Sequence, residues 1–313
     1  MAISRKIYTA SNVLIKAHSA DLNGGSAVGT ELMAQPDTVQ NATFTLTIPR
    51  ADVNAFGVKG VVARPQLEAQ SATIEFSWIP RKDANPEATD DLETLVDAPA
   101  AILSEKDLDA LIQDTLQNEP KYVGVQVQNV GQIMNSLMTS LSGDATVGAL
   151  PTFTASFLGA QPDLTGSGNE EFPKDGYGAS EENPHVGNAT TIAVTEPQDI
   201  TAEGEASNDN GCVQSGAFTW DMPVELVLCL GKSPASEGEA LSSPPGTASI
   251  TIEGLQEVLA ASAVIKKLKI GAYRFDLGAN AEVDSRTHNM AVGELFGTYN
   301  YVVGSTADSC GMD

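Results

Sequence analysis

Residues 41–50 read NATFTLTIPR. Ala42, Phe44, Leu46 and Ile48 alternate with Thr43, Thr45 and Thr47, and Pro49 ends the run. Strict alternation marks a strand with one buried and one wet face. Proline cannot donate to a ladder, so the strand stops there. Residues 71–79, SATIEFSWI, repeat the pattern: Ala72, Ile74, Phe76 and Trp78 oppose Thr73, Glu75 and Ser77. Residues 122–130, 151–159 (PTFTASFLG), 248–252, 267–277 and 296–303 also read as strands, and 218–230 (FTWDMPVELVLCL) as one strand or two broken near Pro223.

Helical signals are fewer. Ser104 is a good N-cap with Asp107 three residues on. Leu103 and Leu108 occupy the staple positions, Leu108, Leu111, Ile112 and Leu116 form one stripe, and Pro120 follows. This predicts a helix over about 104–118. Residues 132–141, QIMNSLMTSL, place Ile133, Met134, Leu137, Met138 and Leu141 at helical spacing, and 255–268 carry a weaker stripe. The expected fold is mainly β: a sandwich or barrel of antiparallel strands, one flanking helix and long loops.

The expected organisation follows composition along the chain. Residues 1–35 read as an N-terminal arm, with a turn-rich LNGGSAVG at 22–29. Residues 36–160 are the first part of a β domain. Residues 161–211 hold eleven Asp or Glu against one Lys, Lys174, with four prolines, and read as an acidic surface excursion. Residues 212–303 are the second part, and 304–313 read as an unstructured tail.

The 313 residues carry a formal net charge of -24, which disfavours a surface that grips nucleic acid or an anionic membrane. Cys212, Cys229 and Cys310 are odd in number and lack metal-ligand spacing, as expected of reduced thiols. No apolar run is long enough for a signal peptide or a membrane span, so no membrane anchor is expected. His18, His185 and His288 have no partners at metal-binding spacing. GSGNEE (166–171) follows no strand and sits among acids, unlike a phosphate loop. KDANPEATDDLETLVDA (82–98) lacks calcium-loop spacing and reads as a solvated loop. Lys266, Lys267 and Lys269 form the one basic cluster and fit the end of a helix better than a DNA contact. Neither catalytic nor cofactor-binding nor metal-ligating residues are assigned, no cofactor is implied, and no enzymatic activity is expected.

One resemblance remains. VQNATFTLTIPRADVNAFG (39–57), with its step Arg50, Asp52, Val53, Phe56, Gly57, then VKGVVARPQLEAQSATIEFSWIPR (58–81), resembles the paired strands of bacteriophage tail tube proteins, the major tail proteins. LPTFTASFLGA (150–160) and AVGELFGTYNYVV (291–303) share that style. The resemblance covers about half of the chain. It implies a structural virion protein, assembled in the host cytoplasm, whose sheets join edge to edge into rings. The rings would be hexameric and stack into a tail tube through which DNA passes without specific binding. Its partners would be copies of itself and other tail proteins: tape measure, terminator, baseplate or sheath. Thr43, Thr45, Thr47, Thr73, Glu75 and Ser77 are then candidates for the lumen. Arg50, Asp52, Phe56, Arg64 and Arg81 are candidates for subunit contacts. The alternatives are a capsid decoration or tail terminator protein, or an adhesin-like surface protein.

Overall fold

The computed structural model describes residues 13–17, 33–34, 39–80, 102–103, 123–127, 130–160, 162–163, 200–204, 213–233, 239–242, 246–254, 265–271, 273–289, 298–306 and 311–312. They form β1 Val13–Ala17, β2 Met33–Ala34, β3 Val39–Thr47, β4 Val53–Asn54, β5 Val61–Ala63, β6 Ser71–Trp78 and β7 Ile102–Leu103. Then come β8 Val123–Val127, β9 Gly131–Thr146, β10 Thr152–Gly159, β11 Pro162–Asp163, β12 Ile200–Gly204, β13 Val213–Asp221 and β14 Val224–Val227. The last are β15 Glu239–Ser242, β16 Thr247–Gly254, β17 Ile265–Ile270, β18 Tyr273–Asp276, β19 Glu282–Asn289, β20 Thr298–Thr306 and β21 Gly311–Met312. The fold is nearly all β, as expected, and sandwich-like.

The front layer is an antiparallel sheet of eight strands in the order β3-β6-β10-β9-β13-β16-β20-β19. Its inner face is apolar because every second residue is: Ala72, Ile74, Phe76 and Trp78 on β6, and Phe153, Ala155 and Phe157 on β10, are all buried. Burying each large side chain is worth about 1.5–3 kcal/mol. A back layer covers this face. Over β13 and β16 it is the sheet β12-β17-β18-β21, whose Phe275 stacks on Phe218 at 4.4 Å between centroids and whose Tyr273 meets Phe153 edge-on at 5.0 Å. On the β3–β6 side it is β8 and β1, continued by β2 and β7, with Val13, Ile15, Val125 and Val127 in the same core.

β9 joins the layers, and it corrects the helical reading of 132–141. Its core-facing residues are Leu141, Met138, Ser136 and Ile133. The register against β10 slips at Thr139, and that against β8 slips between Ser136 and Ile133. Each bulge inserts one extra residue, so an alternating strand acquires helix-like spacings of three and two. The bulges also bend β9 out of the front sheet. Gly131, at its start, packs against the Phe44 ring.

Other expectations shift. Residues 267–277 form the hairpin β17–β18, reversing at Gly271 (φ 65°), and 265–268 are strand, not helix. Pro223 separates β13 from β14. β1 belongs to the sheet instead of a free arm, and β20 and β21 carry strand into the expected tail. The helix expected over 104–118 lies outside the described residues, as does most of 161–211, of which β11 and β12 are described.

The chain builds one unit twice. β3, the β4–β5 hairpin, β6, β9 and β10 recur as β13, the β14–β15 hairpin, β16, β19 and β20, and both sets lie in the order first-second-fourth-third. The registers match. Phe44 pairs with Ile74 and Leu46 with Ala72, as Phe218 pairs with Ile250 and Trp220 with Ala248. Both first strands slip after their opening valine, Val39 or Val213. Both third strands bulge at one equivalent residue, Thr139 or Asp284. β1 on β8 corresponds to β12 on β17. The sequences agree where packing demands it: VQNATFTLTIP (39–49) and VQSGAFTWDMP (213–223) share Val, Gln, Phe, Thr and Pro.

A candidate lumenal face and a projecting apolar hairpin

The outer face of the front sheet is mostly polar, though Leu158, Ala217 and Val302 also lie on it and Leu137, opposite Leu158, is buried. The register aligns Asn41, Ser77, Thr154, Ser142, Thr219, Ser249, Gly304 and Glu282 in one row across all eight strands. The neighbouring row is Thr43, Glu75, Ser156, Ser140, Asp221, Thr247 and Thr306. From Asn41 to Glu282 and from Thr43 to Thr247, every residue of these rows is exposed or half-buried. The Thr219 and Ser249 hydroxyls lie 2.8 Å apart and hydrogen-bond across strands.

The two wet faces expected from alternation, Thr43, Thr45 and Thr47 on one strand and Thr73, Glu75 and Ser77 on the other, lie on the same side of the sheet. Thr43 pairs with Glu75 and Thr45 with Thr73, while Ser77 and Thr47 extend the same surface. Sequence reading missed the larger part of that surface: Ser140, Ser142 and Asp144 within the misread β9, and Glu282, Asp284 and Ser285 on β19, a strand whose apolar alternation is too weak to notice. Asp284, the bulge residue, lies over Gly304, where a Cβ would collide with its carboxylate.

Charge on this face has one sign. Glu75, Asp144, Asp221, Glu253, Glu282 and Asp284 contribute carboxylates. Among the described residues of the eight strands, the basic side chains are Arg286 and His288, which pair with Tyr301 and Tyr299 and alternate away from this face. Such a surface offers a phosphate backbone no cationic partner, and within a Debye length of about 8 Å it repels one.

The contact candidates lie beyond the end of β3. Pro49 stops the strand, and the chain projects as the β4–β5 hairpin before returning into β6. Its base is tied by Ala51 N donating to Pro65 O (3.0 Å) and Arg50 Nη1 donating to Arg64 O (3.3 Å). Arg64 Nε donates to Asp52 Oδ1 at 2.6 Å. Arg50, Asp52 and Arg64 therefore form one cluster. Phe56 stands at the tip, fully exposed, beside Gly57 (φ 82°). Val53, Val58, Val61, Val62 and Leu67 are exposed as well. Arg81 lies outside the described residues. Sheet direction puts the β14–β15 hairpin, with exposed Val227 and Leu241, at the same end, and the β9–β10 turn, with exposed Val147 and Leu150, at the opposite end. An apolar concentration on a projecting arm marks an association surface.

Among the described residues no group of three or more His, Cys, Asp or Glu is placed to hold a metal ion, and no helix is long and apolar enough to cross a membrane. No family model and no curated protein matches the chain.

Proposed function

We propose that this protein is a structural subunit of a bacteriophage tail tube, polymerising as stacked rings around a channel for DNA. The observation that carries the reading is the eight-strand polar face, with six carboxylates and no cation among its described residues. A conduit for DNA must be wetted yet must not bind phosphate, and hydroxyl and carboxylate side chains meet both needs. The back layer occupies the other face of the sheet, so ring closure by strand pairing leaves the polar face for the bore. Closure also covers the long edges, which otherwise promote aggregation. The apolar hairpins and the turn at opposite ends of the sheet supply surfaces for ring-on-ring contact, with Arg50, Asp52, Phe56 and Arg64 at the junction.

Negative-stain microscopy of the purified protein tests this. Hollow tubes with a regular axial repeat are the expected result. A species that stays monomeric at high concentration, even when seeded with tails, would contradict it.

A further inference from the structure

We propose that the β3 edge of one chain pairs antiparallel with the β19 edge of the next, in the register of the internal β9–β13 junction, and that three chains close the ring. The inference rests on the tube reading for its bore and on the duplicated fold for its geometry.

The chain already contains one junction between two units. There the third strand of the first unit, β9, pairs with the first strand of the second, β13: Ser140 opposite Asp221, Ser142 opposite Thr219 and Asp144 opposite Ala217. The equivalents of β9 and β13 in the other unit are β19 and β3. These are the two ends of the front sheet, and each pairs on one side only among the described strands. Transferring the register places Thr47 opposite Ser285, Thr45 opposite Thr287 and Thr43 opposite Asn289. That continues the polar face without a break.

Burial points the same way. At the internal junction Phe218 and Trp220 are fully buried. Their equivalents Phe44 and Leu46 are only half-buried, although they belong to the same core-facing row. Across from them, Gly143 and Leu141 are buried at the internal junction, whereas His288 is exposed and Arg286 half-buried. The two edges thus lack the cover that the internal junction provides. β3 is nine residues long, without a charge or proline in it, an edge that needs a partner.

The number of chains follows from the bore. Eight strands about 4.8 Å apart, tilted ~40° to the ring axis, cover ~50 Å of circumference. Two chains would enclose a backbone circle ~32 Å across, which side chains narrow to about 20 Å, the width of the duplex itself. Three chains give a backbone circle of ~48 Å and a clear bore of about 35–40 Å, the smallest that passes a hydrated duplex. Three chains of two units each give a ring of six units, where the resemblance implies six chains.

The test is inter-chain cross-linking of the full chain carrying T45C and T287C, with Cys212, Cys229 and Cys310 replaced by Ser, using a short bis-maleimide. Native mass measurement of rings from the unmodified protein runs beside it. A closed three-chain product, absent from either single variant, and a ring of three 32.6 kDa chains, about 98 kDa, are expected. Tubes or rings that form without this cross-link, or a different chain number in the unmodified protein, overturn the inference and leave the tube reading standing. Cross-linked three-chain rings that never stack would support the edge pairing while contradicting the tube. A protein that neither cross-links nor associates contradicts both.

Discussion

Two glycines show how local crowding sets the cost of a single atom. A Cβ at Gly143 would collide with the Phe218 and Phe153 rings, which meet edge-on at 5.3 Å in the centre of the front sheet. Neither ring can withdraw from a packed core, so Gly143→Ala is expected to cost about 1–3 kcal/mol or more. At Gly304 the obstacle is the exposed carboxylate end of Asp284, which can swing into solvent. Gly304→Ala is therefore expected to be much milder. Thermal melts of the two variants check the contrast; equal losses would contradict it. The Asp52–Arg64 pair belongs to a different class. Both side chains are about half exposed or more, so the pair contributes about 0–1 kcal/mol to the fold. Asp52→Ala and Phe56→Ser should leave the subunit's melting temperature nearly unchanged. If the hairpin joins rings, both should lower the yield of tubes, Phe56→Ser the more. Microscopy with a melt of the same sample separates the effects.

Bulges decide how the elements were read. In β3, β6 and β10 the alternation is uninterrupted where it matters, and it alone places Thr43 and Thr45 on the wet face of one strand and Thr73 and Glu75 on that of another; that these are one face needs the pairing of β3 with β6. β9 has the same alternation interrupted twice, and its buried residues mimic a helical stripe. Single-strand periodicity cannot separate these cases, because the extra residue is defined only by the partner strand. Deleting Thr139 would restore plain alternation against β10 while leaving Met138 opposite Phe157 and Leu137 opposite Leu158, at the cost of the bend. The expected outcome is a lower urea midpoint with cooperative unfolding kept, because the bend and the Thr139 hydrogen bonds to Ser156 O and from Met222 N are lost; an unchanged midpoint would mean the bulge is dispensable. β19 escaped notice for another reason. Its inward row, Val283, Arg286 and His288, is hardly apolar, and among the described strands it is paired on one side only. The repeat was legible in VQNATFTLTIP and VQSGAFTWDMP, but five shared residues gain meaning only once both strands pair in the same register.

At the scale of the molecule, the charge of -24 and the carboxylates of the sheet have the same sign, and on the tube reading both would keep DNA off the wall. Acidic residues are common along the chain, yet the polar face is distinguished by what it excludes: its described residues carry no cation across eight strands. Replacing Glu75, Asp221 and Glu253 together by Lys changes the formal charge of that face by six per chain. Assembled particles should then retain DNA at low salt and release it as salt rises, because each phosphate contact exchanges for released counterions. A filter-binding series over ionic strength reads this; unchanged retention would place the face away from DNA. The duplication gives the same surface a geometric rationale, since one chain already joins two units through the contact that successive chains would repeat.

The central claim is that the polar face lines a tube. Its most direct test is the position of a single label. A chain with Cys212, Cys229 and Cys310 replaced by Ser and one cysteine at Thr219, midway across the face, is labelled with a small maleimide-gold cluster and allowed to assemble. The account predicts gold density on the tube axis, inside the wall. Gold on the outer surface of well-formed tubes would contradict it.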